Sequence, residues 1–127
     1  MKHYTFLDLK TVNEPYRDAM LEAMTRVVDS GWYIGGPEVE TFEKKLAEYC
    51  DVPYVVGLTN GLDALRLALR GYVELGRLHK DDKVIVPANT YVATVLAITD
   101  NGLEPVFVEA SDVTMNMDTT RLEEYWQ

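Results

Sequence analysis

The sequence lacks a long apolar segment. Its longest apolar run lies near residues 54–58, far short of the roughly 20 residues that a membrane-spanning helix needs. The N-terminal stretch MKHYTFLDLK contains no apolar core of the length found in signal peptides. These absences predict a protein that neither spans a membrane nor is secreted, and they favour the cytoplasm.

Cysteine and histidine are also scarce. Cys50 is the single cysteine, so an internal disulfide is excluded. Cys50, His3 and His79 do not follow the spacing of zinc ligands, and the sequence predicts no metal site. We expect Cys50, at the end of a predicted helix, to be a small buried residue rather than a nucleophile.

Basic residues are too few for a nucleic-acid-binding protein. The chain has 12 Lys and Arg against 21 Asp and Glu, a net charge of −9, whereas nucleic acids require a basic surface that displaces their counterions. One small anion is not excluded by this charge, because a few backbone N–H groups can bind it locally.

What is present predicts one soluble α/β domain. The length of 127 residues suits a single domain, and 47% hydrophobic residues are typical of a globular protein. Short apolar strands alternate with helical patterns, which favours a β-α-β-α-β unit with a parallel sheet. The predicted helices are 15–30, 37–50, 62–78, 91–101 and 119–126, and the predicted strands are 54–58, 83–86 and 105–109.

The turn at residues 59–61 lies between a predicted strand and a predicted helix. The first N–H groups of a helix have no partner within the helix, and they can bind a phosphate or carboxylate. The other interpretation is that Asn60-Gly61 is present only because the backbone needs a positive φ there. The turn alone does not decide between these two interpretations.

A second turn, at residues 87–90, follows the next strand and leads to Tyr91. Parallel sheets bind ligands beyond the carboxyl ends of their strands, so we expect both turns at the same edge. An anion site beside the flat ring of Tyr91 would suit a phosphorylated planar ring compound. The other interpretation places Tyr91 in the core.

Several stretches together resemble one known family. They are FLDLK, SGWYIGGPEVETFE, GLTNGLDALRLAL, VIVPANTYVATVLAITDNGLEPVFVE and MNMD, which are similar to the DegT/DnrJ/EryC1/StrS family of pyridoxal-phosphate-dependent sugar-nucleotide aminotransferases. The resemblance covers essentially the whole chain. It implies a parallel-sheet, three-layer portion of the large domain of fold-type I pyridoxal-phosphate-dependent transferases. Residues 1–53 would form an arm and two helices, and residues 54–127 would form the β-α-β-α-β part of the cofactor-binding domain.

The resemblance also implies roles for individual residues. Gly61 and Leu62 fall where backbone amides of the family bind the cofactor phosphate, and Asn60 shapes that turn. Many members have Thr where Leu62 stands, so the hydroxyl contact is missing here. Tyr91 falls on the aromatic position that stacks on the pyridine ring. Tyr33, in the glycine-rich loop at residues 31–37, lies in a region that approaches the substrate or the partner subunit.

The implied function is transfer of an amino group, from glutamate, to a nucleotide-linked keto-sugar during amino-sugar and polysaccharide biosynthesis, by a cytoplasmic homodimer. The family's Schiff-base lysine and pyridinium-binding carboxylate belong to motifs that the sequence does not contain. Lys80, Lys83 and Asp100 are expected at the wrong end of the sheet. We therefore predict no catalytic residue in this chain, no transamination by it alone, and association of its exposed apolar edges.

Two alternatives remain open. A sugar dehydratase with the same fold and cofactor would carry a different residue in place of the Schiff-base lysine. A non-catalytic α/β domain that binds a phosphate compound or a protein partner would use the turn at residues 59–61 but would leave Tyr91 and the glycine-rich loop without a function.

Overall fold

The computed structural model describes residues 5–125. These residues form two compact units, which divide between Gly57 and Leu58. The first unit is helical, and the second contains helices and a small sheet. Within residues 5–125, no helix is both long enough and apolar enough to cross a membrane.

Residues 5–57 of the first unit contain three α-helices, α1 (Leu9–Asn13), α2 (Arg17–Ser30) and α3 (Pro37–Cys50), with a 3-10 helix at Glu14–Tyr16. The predicted helix 15–30 is therefore an α-helix only from Arg17, because Glu14–Tyr16 form a 3-10 turn and Tyr16, with φ −106° and ψ 0°, lies outside the α-helical region. Gly31 ends α2 with φ 66°, as predicted for a glycine that follows a helix. An ion pair joins α2 to α3, with 2.9 Å between Arg26 Nε and Glu38 Oε1.

The predicted strand 54–58 is not formed. Residues 54–57 have no strand pairing, and Tyr54 and Val56 are 85% and 73% exposed. The N–H of Gly57 donates to the Glu43 carboxylate at 2.6 Å. An extended apolar segment becomes a strand only when a neighbouring strand takes up its backbone groups. The predicted β-α-β-α-β unit is thus wrong at its first strand.

The second unit contains α4 (Gly61–Glu74), β1 (Lys83–Pro87), α5 (Val92–Thr99) and β2 (Glu104–Val108), followed by a 3-10 helix at Thr119–Tyr125. Strands β1 and β2 are parallel, and their register runs from Lys83↔Glu104 to Pro87↔Val108. The α/β class with a parallel sheet is confirmed. Helix α4 ends earlier than the predicted residue 78 because Gly76 turns the chain with φ 66°.

The core of the second unit is small and lies between the sheet and its helices. Its buried residues are Val86, Ala97, Ile98, Leu103 and Val108, and the side chains packed around them are only partly buried. Cys50 is exposed, so the prediction that it is a buried residue is wrong. Cys50 is the last residue of α3, before Asp51 turns the chain with φ 52°, and this helix end leaves its side chain in solvent.

Candidate active site at the start of two helices

The first half of the site is the N-terminus of α4. Asn60 precedes the helix with extended backbone, and its Oδ1 accepts the N–H of Asp63 at 2.9 Å. In return, Asn60 Nδ2 donates to Asp63 Oδ2 at 3.0 Å. This reciprocal cap uses the N–H of the third helical residue. The N–H groups of Gly61 and Leu62, the first two helical residues, have no acceptor within the helix.

Gly61 is not required by the backbone or by its neighbours. The φ angle of Gly61 is not positive, so the interpretation that this turn needs glycine for its conformation is wrong. A Cβ atom built at Gly61 would have no atom within 4 Å other than those of its chain neighbours and of the backbone of its own helix. The missing side chain therefore leaves open space directly beside the two free N–H groups.

The second half of the site is Tyr91, which precedes α5. The turn before it is held by the Thr90 N–H, which donates to the Pro87 carbonyl at 3.0 Å, and the Thr94 N–H donates to the Tyr91 carbonyl at 3.0 Å. Asn89 Nδ2 donates to the Met115 carbonyl at 2.9 Å. Tyr91 is 79% exposed, so the interpretation that it belongs to the core is wrong.

One open cavity of about 650 Å³ joins the two halves. Four of its lining residues are those predicted at the two turns, Asn60, Gly61, Leu62 and Tyr91. The volume lies within the range of about 300–1,000 Å³ that is usual for small-molecule sites. The structure thus brings the two turns to the same edge, whereas the binding of a cofactor by these residues stays a prediction.

The rest of the cavity is formed by helix side chains that sequence reasoning missed. They are Leu65 on α4 and Val92, Ala93, Thr94 and Leu96 on α5. Apolar residues at helical spacing are usually core residues, so no pattern marked them. The available signal was their position, within two turns of the two predicted helix starts.

No lysine, arginine or carboxylate lines this cavity among the described residues. The nearest acid along the chain, Asp63, contacts Arg66 through Oδ1 and Nη1 at 3.4 Å. Hydrogen bonds to Asp100 and Asp63 raise the pKa of Arg66 above its ordinary value. This arrangement offers backbone donors, an aromatic ring and apolar walls, which bind and orient a ligand but do not transfer protons.

Lys83 and Lys80 lie at the other end of the second unit. Lys83 begins β1, and a five-residue strand separates the two sheet edges by about 13 Å. The side chain of Lys80 approaches Gly102, which follows the C-terminus of α5. Neither lysine lines the cavity, in agreement with their predicted position.

Tyr33 belongs to the first unit, and its predicted role in substrate binding stays a prediction. It is 66% exposed in the glycine-rich loop between α2 and α3. The loop is held by Trp32, whose Nε1 donates to the Ile34 carbonyl at 2.8 Å. A Cβ atom at Gly36 would lie 3.2 Å from Cγ of Trp32, so a larger residue there would require the indole ring to shift by a few tenths of an ångström.

Comparisons with known proteins identify relatives of the whole chain. It is 50% identical over 120 residues to the dTDP-3-amino-3,6-dideoxy-alpha-D-galactopyranose transaminase of Aneurinibacillus thermoaerophilus, an alignment that covers 94% of this chain and 32% of that enzyme. It is 45% identical over 118 residues to the dTDP-3-amino-3,4,6-trideoxy-alpha-D-glucose transaminase of Streptomyces venezuelae, covering 93% of this chain and 30% of that enzyme. The chain thus spans about a third of the length of the curated relatives it matches.

Comparison with solved structures agrees with the comparison of sequences. The crystal structure of S. venezuelae DesV superposes with a TM-score of 0.89 at 42% identity, covering 100% of this chain and 33% of that one. An Escherichia coli GDP-4-keto-6-deoxy-D-mannose-3-dehydratase with bound hydrated PLP gives a TM-score of 0.79 at 27% identity, covering 98% and 31%. The predicted fold class, part of the large domain of the pyridoxal-phosphate-dependent transferases, is confirmed. Residues 16–125 match the DegT/DnrJ/EryC1/StrS aminotransferase family, and the chain belongs to this family.

Proposed function

We propose that this chain is the phosphate-binding and ring-stacking part of a pyridoxal-phosphate-dependent aminotransferase that acts on nucleotide-linked keto-sugars. The observation that carries the proposal is the single cavity that contains both the free N–H groups of α4 and the exposed ring of Tyr91. A helix N-terminus favours a phosphate through these donors and through the helix dipole. An aromatic ring beside it suits the pyridine ring of the same cofactor.

The residues present fit pyridoxal phosphate. The N–H groups of Gly61 and Leu62 would donate to the phosphate, and the open space at Gly61 would let the phosphate approach the backbone. Tyr91 would stack on the pyridine ring, which adds about 0.5–1.5 kcal/mol beyond the burial of area. When bound, pyridoxal phosphate supplies an electron sink for chemistry at the substrate carbon.

With leucine at position 62, the site offers the phosphate different contacts from a site with threonine at that position. Its N–H is available, but its side chain carries no hydroxyl, and it lines the cavity as an apolar wall. Asn60 contributes through the cap that holds the helix start, since both polar atoms of its side chain already contact Asp63. The phosphate contacts in this chain would therefore be backbone contacts.

The substrate class follows from the relatives, whose names specify dTDP-linked amino sugars. We propose that the whole protein transfers an amino group from glutamate to a nucleotide-linked keto-sugar as a cytoplasmic homodimer. Tyr33 is the proposed contact to the substrate. The cavity contains no lysine or carboxylate among the described residues, so the groups that react with the cofactor would come from other parts of the enzyme.

A sugar dehydratase is the second candidate, supported by the likeness to the E. coli dehydratase. Its cofactor is the same, so the binding residues proposed here serve both reactions. In the whole protein, glutamate-dependent formation of an amino sugar would support the aminotransferase, and loss of a sugar hydroxyl without amine transfer would support the dehydratase.

The binding proposal is tested with two ligands that differ only in the phosphate. The chain is titrated with pyridoxine 5′-phosphate and with pyridoxine by calorimetry, because neither carries the aldehyde that reacts with surface lysines. We expect pyridoxine to bind at least about tenfold more weakly, since it lacks the charge-assisted hydrogen bonds, and we expect inorganic phosphate to compete. Equal affinity for both ligands, or no binding of either, would overturn the proposal and favour a non-catalytic domain.

A further inference from the structure

Helices α4 and α5 form two walls of the cavity. Leu62 and Leu65 line it from α4, and Val92 and Leu96 line it from α5. The first helix also supplies the free N–H groups, whereas the second is preceded by Tyr91. The separation of these two helices therefore sets the distance between the phosphate donors and the aromatic ring.

The polar contact between these helices is concentrated at one position. Arg66, in the second turn of α4, donates from Nε to Asp100 Oδ2 at 2.6 Å, and its Nη2 contacts the same oxygen. Asp100 directly follows the last residue of α5. Next to it, Asn101 Nδ2 donates to the Arg66 carbonyl at 3.1 Å and to the Ala97 carbonyl at 2.8 Å. Side chains thus join the middle of α4 to the end of α5.

The same arginine also reaches the start of α4. Arg66 Nη1 lies 3.4 Å from Asp63 Oδ1, and Asp63 exchanges two hydrogen bonds with Asn60. A continuous line of contacts therefore runs from the C-terminus of α5, through Arg66, to the cap that exposes the N–H groups of Gly61 and Leu62. None of Arg66, Asp63 and Asp100 lines the cavity itself.

We propose that the Arg66–Asp100 pair is a clamp that sets the spacing between the phosphate site on α4 and Tyr91 before α5. The inference rests on the proposed function, because it assumes one ligand that contacts both helices. Arg66 and Asp100 are positioning residues, which act through the helices and do not touch the ligand. The clamp holds the two halves of the site ready and so lowers the cost of ordering them when a ligand binds.

Substitution of Asp100 by Asn distinguishes the effect of the clamp on ligand binding from the effects of net charge and of the helix dipole. It removes a negative charge from a chain of net charge −9, which by itself favours anion binding. It also removes an acid from the C-terminus of α5, where the helix dipole disfavours one. Both effects predict tighter binding or higher stability, whereas loss of the clamp predicts weaker binding of the ring compound.

The experiment compares Asp100→Asn with Glu74→Gln in the full chain. Glu74 is the matched control because it also loses one negative charge from an ion pair, but its partner Arg70 lies on the same helix. We expect Asp100→Asn to weaken pyridoxine 5′-phosphate about threefold while the affinity for inorganic phosphate stays within twofold. Glu74→Gln should change neither. A merely structural role would not change this ratio of affinities.

Equal or tighter binding of pyridoxine 5′-phosphate by Asp100→Asn would overturn the clamp, even though the proposed function would stand. If the parent chain binds neither pyridoxine 5′-phosphate nor inorganic phosphate, the proposed function fails, and the clamp is then tested in the absence of ligand. In that case, amide hydrogen exchange at Thr94, whose N–H donates to the Tyr91 carbonyl, should be faster in Asp100→Asn than in Glu74→Gln. Equal exchange rates in the two variants would overturn the clamp.

Discussion

Substitution of Gly61 by Ala should move stability and ligand affinity in opposite directions. The new Cβ would meet no atom within 4 Å beyond its chain neighbours and the backbone of its own helix, and φ at Gly61 is not positive, so the folded chain is not strained. Alanine restricts the unfolded chain, and such a change raises the free energy of unfolding by about 0.4–1 kcal/mol. For a domain of this size the melting temperature should rise by a few degrees, on the order of 2–5 °C.

The same methyl group would occupy the open space beside the N–H groups of Gly61 and Leu62. A phosphate held at that distance would lose one charge-assisted hydrogen bond, which contributes about 1.5–3 kcal/mol. The affinity for pyridoxine 5′-phosphate should therefore fall by about 10- to 150-fold. The assay pairs calorimetric titration of the ligand with thermal unfolding followed by circular dichroism.

Gly71→Ala is the matched control on the same helix. A Cβ atom at Gly71 also has no neighbour within 4 Å, and Gly71 does not line the cavity. It should raise the melting temperature at least as much as Gly61→Ala and leave the affinity unchanged. If Gly61→Ala binds the ligand as tightly as the parent chain, the phosphate does not lie at the start of α4, and the reasoning is refuted.

Four further predictions concern ring stacking by Tyr91, packing of the core, the pH dependence of a carboxylate at a helix start, and self-association of the chain. Tyr91→Phe should bind pyridoxine 5′-phosphate like the parent chain, whereas Tyr91→Leu should bind it about 2- to 12-fold more weakly by titration, since only the leucine removes the stacking ring. Ile98→Ala, at a fully buried side chain, should lower the free energy of unfolding by about 2–5 kcal/mol in urea, whereas Leu67→Ala, at an exposed one, should lower it by much less. Hydrogen bonds from the Thr120 hydroxyl and N–H lower the pKa of Asp118, which precedes the 3-10 helix Thr119–Tyr125. The stabilisation by this carboxylate is fully present above the unfolded pKa of about 4 and is lost as pH falls through the lower folded pKa. The chemical shift of the Thr120 amide in NMR should change over this pH range in the parent chain, but not in Asp118→Asn. Exposed apolar side chains such as Phe107, 47% exposed on a strand of a two-stranded sheet, should make sedimentation concentration-dependent, and a single monomer at all concentrations would contradict this.

Features that depend on local chemistry were predictable from the sequence. Asn60 followed by Asp63, and Pro37, mark helix starts, and Gly31 and Gly102 mark helix ends, because each acts on the backbone close to it. The turn at residues 87–90 lies at the carboxyl end of β1, as a parallel sheet predicts. The strand expected before residues 59–61 is not formed, so the position of that turn does not follow from the sheet. The site residues at both turns were within reach of sequence reasoning because each turn leads into a helix.

Features that depend on distant partners were not predictable. Residues 54–58 have the composition of a strand, but residues 54–57 have no strand partner within residues 5–125, and composition does not encode the neighbour. Leu65 and Leu96 line the cavity, although their spacing is that of ordinary core residues. The Arg66–Asp100 pair joins residues 34 positions apart, and a charged pair at such a separation leaves no periodic signal in the sequence.

The acidity of the chain does not oppose an anion in this cavity, because the net charge acts at a distance and the donors act locally. At physiological ionic strength, exposed charges more than about 8 Å apart are largely screened, and no charged side chain lines the cavity among the described residues. Asp63, the acid closest along the chain, is held by Asn60 and paired with Arg66, which reduces its field at the phosphate. The N–H groups at the start of α4 act at hydrogen-bonding distance, whereas most of the negative charge acts from farther away and is screened, so the acidity of the chain is compatible with the proposed phosphate site.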